Sequence, residues 1–123
     1  MSHKVLVVDD HEGLRQRIRA ALERDGIEVC GEAANGQEAI QKVSEHSPGV
    51  VILDILMPVM SGLQALPEIV QSSPYTKIVM FSVHDAEELR RQAFNLGAHA
   101  YVVKSAPLEQ LLAEVRKLLA QIA

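Results

Sequence analysis

Cysteine is nearly absent from this chain: Cys30 is the only one in 123 residues. A single thiol excludes an internal disulfide and suits a reducing compartment. No apolar stretch of the sequence approaches the ~18 residues that a membrane span needs. Asp9 and Asp10 interrupt the first apolar run early, so the N-terminus lacks the long apolar core of a secretory signal. We therefore predict a cytoplasmic protein that does not enter a membrane.

Aromatic residues and positive charge are also scarce. Two Tyr, two Phe and no Trp leave the core to be built from aliphatic side chains. The formal net charge of -4 argues against direct binding of nucleic acid by this chain, since that function needs a basic face. The length fits one compact unit, so we predict a single domain over residues 1–123.

Short apolar runs alternate with helical patterns along the whole chain. Runs of strand length lie at 4–9, 27–33, 50–54, 77–82 and 100–103. The spacing of apolar residues predicts helices at 11–25, 36–46, 62–72, 86–96 and 107–122. Helix starts are indicated by Ser61 and by two pairs with the spacing of a capping box, Asn35 with Glu38 and Asp85 with Glu88.

This alternation predicts an α/β fold with a parallel sheet, because right-handed crossovers place helices on both faces of such a sheet. The runs at 4–9, 50–54 and 77–82 are continuously apolar, as strands buried on both faces are. Residues 27–33 alternate apolar and polar side chains and suit a sheet edge. We predict a flavodoxin-like, doubly wound sheet of five strands in the order 2-1-3-4-5, with five helices on both faces.

Four of the five runs end in polar residues that together suit phosphoryl chemistry. The first ends in Asp9 and Asp10, the third in Asp54, the fourth in Ser82 and the fifth in Lys104. Because the carboxyl ends of parallel strands open on one edge of the sheet, we expect these groups to share one pocket. Each residue alone has an ordinary explanation as a helix cap, a turn residue or a solvated side chain. The coherent set at four strand ends points to a functional site.

Closely packed carboxylates repel one another, and a hard divalent cation relieves that repulsion. Mg²⁺ takes oxygen ligands, so the acidic cluster predicts a Mg²⁺ site. Asp54 is the candidate nucleophile, because a carboxylate can accept a phosphoryl group as an acyl phosphate. Lys104 would neutralise charge on the phosphoryl oxygens, and Ser82 would donate a hydrogen bond to one of them.

These residues resemble the receiver domain of two-component response regulators. The motifs that carry the resemblance are Asp9-Asp10, Asp54-Ile55-Leu56-Met57-Pro58-Val59-Met60-Ser61-Gly62, Ser82, and Lys104 preceded by Tyr101. The segments Ser82-Val83-His84-Asp85 and Lys104-Ser105-Ala106-Pro107-Leu108 are most similar to the LuxR/NarL-type transcriptional regulators. Those regulators carry a C-terminal helix-turn-helix domain, and we expect no output domain within this chain.

The resemblance implies that Asp54 accepts a phosphoryl group from a phosphohistidine of a sensor histidine kinase, in a reaction that depends on Mg²⁺. It also implies that Asp10, Asp54 and the Leu56 backbone carbonyl bind Mg²⁺ directly, while Asp9 acts through water. No turnover of a separate substrate is expected, so the chain is not predicted to be an enzyme.

By the same resemblance, Ser82 and Tyr101 form a switch pair. Ser82 would move to the phosphoryl group and Tyr101 would turn inward behind it, which alters the surface of helix 4 and strand 5. An ordinary half-buried strand aromatic is the alternative interpretation of Tyr101. A homodimer formed on phosphorylation is a further expectation, since receivers commonly signal in that way.

Three residues depart from the common pattern of the family. Ser105 follows Lys104 where many receivers have a proline in a cis peptide, which leaves a cis or trans bond open. Val83 follows the switch serine where small residues are frequent, so we predict a narrower entrance for small phosphodonors. His84 lies where side chains influence the hydrolytic water, so its replacement is predicted to alter the phosphoryl lifetime. An exposed loop histidine is the alternative interpretation of His84.

Other functions use similar residues. The chain could be a stand-alone receiver, or a docking module that never uses phosphate. An aspartate-nucleophile phosphohydrolase of the haloacid dehalogenase type uses the same groups, but that class has a second acid two residues after the nucleophile. Leu56 occupies that position here, which makes the phosphohydrolase the weaker alternative.

Overall fold

A computed structural model describes residues 2–122, so the outermost residues of the predicted domain, Met1 and Ala123, lie outside the described residues. Its strands are β1 (Val5–Val8), β2 (Val29–Ala33), β3 (Val50–Leu53), β4 (Lys77–Ser82) and β5 (Ala100–Val103). Its helices are α1 (Glu12–Arg24), α2 (Gly36–His46), α3 (Gly62–Ser72), α4 (Glu87–Asn95) and α5 (Leu108–Ala120). Strands and helices alternate along the chain as predicted.

The five strands form one parallel sheet in the order β2-β1-β3-β4-β5, which confirms the predicted topology. The register pairs Val8 with Leu53, so the residues that follow them, Asp9 and Asp54, leave the sheet side by side. Ser82 pairs with Val103 at the end of β4 and β5. The register therefore brings four strand ends to one edge of the sheet.

Alternate residues of each buried strand enter two separate cores, one on each face of the sheet. Val5 and Val7 of β1 pack with α1 and α5, while Leu6 and Val8 pack with residues of α2 and α3. Each fully buried aliphatic side chain contributes roughly 1.5–3 kcal/mol to stability. Helices thus cover both faces, as a parallel sheet requires. Within residues 2–122, no helix is both long enough and apolar enough to cross a membrane.

Two predicted helix starts are confirmed. Asn35 accepts a hydrogen bond from the Glu38 amide at the start of α2, and Ser61 forms a reciprocal capping box with Gln64 at the start of α3. The predicted ranges of α2, α3, β4 and β5 match the structure. The other elements are one or two residues shorter than predicted at one or both ends, where helices and strands fray.

The predicted capping box of Asp85 with Glu88 is wrong. Helix α4 begins after Ala86, which offers no side-chain cap. The Asp85 carboxylate instead accepts a hydrogen bond from Arg90 Nε at 2.9 Å. The capping spacing was present in the sequence, but the guanidinium inside the helix competes for the same carboxylate.

Candidate functional site

The carboxyl edge of the sheet brings the predicted pocket residues together. Asp9, Asp54 and Ser82 are buried there, with 1%, 5% and 0% of their surface exposed. The Lys104 ammonium donates to Asp9 Oδ2 at 2.6 Å and lies 3.2 Å from Asp54 Oδ2. Lys104 follows β5, and its side chain reaches past the end of β4 to the two aspartates that follow β1 and β3. The Lys104 side chain is 13% exposed and paired, so its alternative interpretation as a solvated side chain is wrong.

Asp54 is held in place by the backbone around it. Its Oδ1 accepts a hydrogen bond from the Ile55 amide at 2.8 Å. The Gly62 amide donates to the Ile55 carbonyl at 2.8 Å, and a Cβ on Gly62 would fall 1.9 Å from the Asp54 carbonyl oxygen. Only glycine therefore lets α3 begin this close to Asp54. The signal for this contact in the sequence is a glycine directly after Ser61, the helix cap.

The acidic pair divides between the interior and the surface. Asp9 points inward, and its Oδ1 accepts a hydrogen bond from the His11 amide at 2.9 Å. The side chain of Asp10 is 30% exposed. One ligand atom from each of Asp9, Asp10 and His11 lies within 4.8 Å of the others, a spacing that suits a metal ion. The carboxylate oxygens of this group and of Asp54 are the hard donors that Mg²⁺ prefers.

The electrostatics of the pocket favour an added cation. Burial raises the pKa of Asp54 to about 6; Lys104 opposes this rise and Asp9 adds to it. The burial of Lys104 lowers its own pKa, but Asp9 and Asp54 outweigh that cost and raise it, so Lys104 stays charged. Burial thus wins over the ion pair at Asp54, because one ammonium serves two carboxylates.

Ser82 and Tyr101 bind the same stretch of backbone. Ser82 Oγ accepts a hydrogen bond from the His84 amide at 3.1 Å, and the Tyr101 hydroxyl donates to the His84 carbonyl at 2.7 Å. Tyr101 is 7% exposed, and the Arg90 guanidinium lies over its ring at 4.7 Å. Tyr101 is therefore already turned inward in this structure, which corrects the expectation that its inward turn follows a movement of Ser82 to the phosphoryl group.

The three remaining predicted residues, Leu56, Val83 and His84, differ in their exposure. The side chains of Leu56 and Val83 are exposed. His84 is half-buried, so its interpretation as an exposed loop residue is wrong, and its Nε2 is buried without a hydrogen-bond partner among residues 2–122. The Lys104–Ser105 bond is trans, since the described part of the chain contains no cis peptide.

One residue near the pocket escaped prediction. Arg15 on α1 donates a hydrogen bond from Nη1 to the Asp9 backbone carbonyl at 2.7 Å. Its signal in the sequence is weak: an arginine beside Leu14 and Ile18 on the apolar side of α1 usually covers the core with its aliphatic stem.

Fold and site together define a class: a doubly wound α/β domain with a buried aspartate and lysine pocket at its topological switch point. The response regulator receiver domain family matches residues 5–116, and the chain belongs to this family. Receiver domains are signalling modules of two-component systems. They bind Mg²⁺ at an acidic pocket and interact with histidine kinases and other phosphotransfer partners.

Relatives of two lengths match the chain. It is 38% identical to the chemotaxis protein CheY of Bacillus subtilis over 97% of this chain and 99% of that protein. It is 43% identical to the oxygen regulatory protein NreC of Staphylococcus carnosus over 92% of this chain, which spans only 53% of NreC. A LuxR-family two-component response regulator from Aurantimonas sp. SI85-9A1 has a similar structure, with a TM-score of 0.91 and 31% identity over 98% of this chain and 87% of that chain.

Proposed function

We propose that this domain accepts a phosphoryl group on Asp54 from a sensor histidine kinase and responds by changing its α4 and β5 surface. One observation carries the proposal: the buried Asp54 carboxylate lies 3.2 Å from the Lys104 ammonium, beside Asp9. The oxygen that would act as nucleophile and the cation that would neutralise phosphoryl charge thus lie side by side. Phosphoryl transfer needs little more than such positioning and charge neutralisation.

Asp10, Asp54 and the Leu56 carbonyl would bind Mg²⁺ directly, and Asp9 would act through water. Two observations support this assignment: Asp9 and Asp10 offer ligand atoms within 4.8 Å of each other, and the three aspartates carry more negative charge than Lys104 alone neutralises. When bound, Mg²⁺ supplies positive charge to the phosphoryl oxygens. The same cation would also favour the ionised form of Asp54, which burial disfavours.

The transfer itself exchanges one bond for another. An Asp54 oxygen forms a bond to phosphorus as the bond from phosphorus to the histidine nitrogen of the kinase breaks, and the electron pair stays on that nitrogen. Lys104 would move from its bridge between the two aspartates to a phosphoryl oxygen. Ser82 accepts a hydrogen bond from the His84 amide, so its own proton is free to be donated to a second phosphoryl oxygen.

The switch would run through the His84 backbone. Ser82 binds the amide of this residue and Tyr101 binds its carbonyl. A shift of Ser82 toward the phosphoryl group would therefore move the carbonyl that holds Tyr101. Arg90 of α4 covers the Tyr101 ring, so the movement would reach the surface formed by α4 and β5.

Relatives of NreC's length suggest how the signal is used. We propose that the domain acts in the cytoplasm and forms a homodimer on phosphorylation. It would then control transcription through a helix-turn-helix domain outside residues 1–123. A stand-alone receiver is the second candidate, and it is supported by CheY of Bacillus subtilis, which this chain covers almost completely.

Intact-mass spectrometry after incubation with phosphoramidate, with and without Mg²⁺, tests the proposal. We expect a gain of one phosphoryl group that requires Mg²⁺, is lost in Asp54→Asn and is kept in Glu68→Gln, which removes an exposed carboxylate of α3. No gain from either phosphoramidate or a phosphorylated histidine kinase would favour a docking module. Repeated release of phosphate from an added phosphate ester would favour the phosphohydrolase.

A further inference from the structure

We propose that Arg15 is a positioning residue for the acidic pair, an inference that rests on the proposed function because it assumes a Mg²⁺ site there. Arg15 Nη1 donates to the Asp9 backbone carbonyl at 2.7 Å, and its Nε donates to Glu32 Oε1 at 3.0 Å. One guanidinium thus connects α1 to the end of β1 and to the edge strand β2. Arg15 would act on the metal site through the backbone.

Arg15 binds the carbonyl of Asp9, the residue that directly follows β1. The Val8 carbonyl accepts from the Asp54 amide at 3.1 Å, and the Asp9 amide donates to the Ala33 carbonyl at 3.0 Å. The Asp9 carbonyl then belongs to the peptide that joins Asp9 to Asp10. Because a peptide unit is planar, holding its oxygen fixes the orientation of the link between the two acidic residues. Arg15 therefore sets how Asp10 is presented relative to Asp9.

Glu32 holds the guanidinium from the other side. Its Oε1 accepts from Arg15, and its Oε2 accepts from Arg19 Nε at 2.8 Å. Burial opposes the ionisation of Glu32, but the hydrogen bonds from Arg19 and Arg15 lower its pKa below the usual range. Glu32 is therefore an anion at neutral pH. The side chain of Arg15 is only 15% exposed, so water competes little for these contacts.

The effect of Arg15 on the acidic pair is one of geometry more than of charge. Glu32 lies 3.0 Å from Arg15 Nε and is shared with Arg19, and Arg19 also lies 3.9 Å from Glu23, so the two arginines face two carboxylates. The planar guanidinium can bind a carbonyl and a carboxylate through separate nitrogens, whereas a lysine offers one compact ammonium. Arg15→Lys would keep the positive charge but could not bind the Asp9 carbonyl and Glu32 together, a pair of contacts that we call the Arg15 bridge. This substitution therefore separates the two explanations.

Mg²⁺ titrations followed by backbone amide NMR shifts test the inference on four proteins: wild type, Arg15→Met, Arg15→Lys and Arg17→Met. Arg17 is exposed on the same helix, so its substitution removes the same charge without touching the bridge. We expect both Arg15 variants to bind Mg²⁺ about tenfold more weakly, as for other groups that orient metal ligands. Arg17→Met should stay within about twofold of wild type, since exposed charges contribute little.

Phosphorylation by phosphoramidate gives a second measurement. Saturating Mg²⁺ should restore most of the maximal rate in the Arg15 variants, because Arg15 touches neither Asp54 nor Lys104 in the described structure. Wild-type affinity in Arg15→Lys would overturn the inference, and so would an equal loss in Arg17→Met. If the wild type itself binds no Mg²⁺, the proposed function fails instead. Arg15→Lys decides the question should Arg15→Met fail to fold in a urea titration.

Discussion

The two edges of the sheet both carry hydrogen-bonded polar side chains, but the two edges differ in charge and in how completely those side chains are paired. At the amino edge, the buried Thr76 hydroxyl donates to the Pro48 carbonyl at 2.8 Å. His99 is exposed, but its Nδ1 accepts a hydrogen bond from the Ile78 amide at 3.0 Å, and partial desolvation of the ring together with the charge of Lys77 lowers the pKa of His99. These groups are neutral, and each is paired with the backbone.

At the carboxyl edge the buried groups are charged and their pairing is incomplete. Asp9 and Asp54 share the single ammonium of Lys104, and burial raises the pKa of Asp54 to about 6. A paired neutral hydrogen bond contributes roughly 0.5–1.5 kcal/mol to stability, whereas an underpaired buried charge costs free energy. The amino edge therefore stabilises the fold. The carboxyl edge keeps an excess of negative charge that a cation and a phosphoryl group can use.

Removing the cation of the carboxyl edge should have the largest effect. Lys104→Met deletes the ammonium that faces the phosphoryl acceptor, so we expect phosphorylation by phosphoramidate to slow by about 100-fold or more. This rate is measured by quenching the reaction at successive times and determining the phosphorylated fraction by intact-mass spectrometry. Thr76→Val at the amino edge is the matched control and should leave the rate unchanged while lowering the free energy of unfolding. A Lys104→Met rate close to wild type would remove Lys104 from the chemistry.

Neutralising Asp54 should stabilise the protein. The folded state raises the pKa of Asp54 from 3.8 to about 6, so it binds the proton more tightly than the unfolded state does. Ionisation of Asp54 therefore lowers stability as pH rises through this window, and the full cost is present above about pH 6. We expect Asp54→Asn to gain roughly 1–3 kcal/mol at neutral pH, with the gain shrinking toward about pH 4.

Urea titrations across this pH range measure that gain, with Glu68→Gln as a control for the loss of an exposed carboxylate. A gain that does not depend on pH would show that burial of the charge is not its cause.

The two edges also differ in backbone strain, for which we expect a smaller effect on stability. Val59, beside the carboxyl edge, has φ 69°, and Ser47, which ends α2 near the amino edge, has φ 46°. A β-branched residue is poorly suited to this left-handed conformation, whereas asparagine adopts it readily. We expect Val59→Asn to raise the free energy of unfolding by about 1 kcal/mol. Ser47→Asn should gain less than half as much, and equal gains would contradict the assignment of strain to Val59.

The entrance to the pocket should control the choice of phosphodonor. Val83 is 65% exposed at the end of β4, next to Ser82. We expect Val83→Ala to be labelled a few times faster by phosphoramidate, because a smaller side chain widens the approach to Asp54. The rate of transfer from a histidine kinase should change less. A variant that labels no faster from the small donor would show that Val83 does not narrow the entrance.

His84 should affect the lifetime of the product. Its side chain is half-buried two residues after Ser82, and its Nε2 has no partner among residues 2–122. We expect His84→Ala to change the decay rate of the phosphorylated protein about twofold, through its influence on water near the phosphoryl group. Mass spectrometry after removal of the donor measures the decay. An unchanged rate would leave His84 with a backbone role alone.

The architecture could be predicted from the sequence because the strands have clear hydrophobic patterns. Continuous apolar runs such as Val50–Leu53 indicate central strands. The alternation of polar and apolar residues over 27–33 indicates an outermost strand, and the two patterns together give the strand order. The convergence of Asp9, Asp54 and Lys104 followed from that order, since each stands directly after a strand. Topology thus carried the prediction of the pocket.

The features that escaped prediction depend on contacts between distant segments. The Arg15 hydrogen bond to the Asp9 carbonyl depends on how α1 sits against β1, and the role of Gly62 depends on its approach to Asp54. Asp85 had the correct spacing for a cap but pairs with Arg90 instead. Local patterns do not say which of several partners a charged side chain chooses, because that choice is made by packing.

The most direct test of this account is to locate the phosphoryl group on the chain. Borohydride reduction converts an aspartyl phosphate to homoserine, which tandem mass spectrometry of the proteolysed protein can place at one residue. After labelling with phosphoramidate and Mg²⁺, we predict homoserine at position 54 and unmodified Asp9 and Asp10. Reduction at Asp9 or Asp10, or a stable label on His84, would contradict the claim that Asp54 is the acceptor.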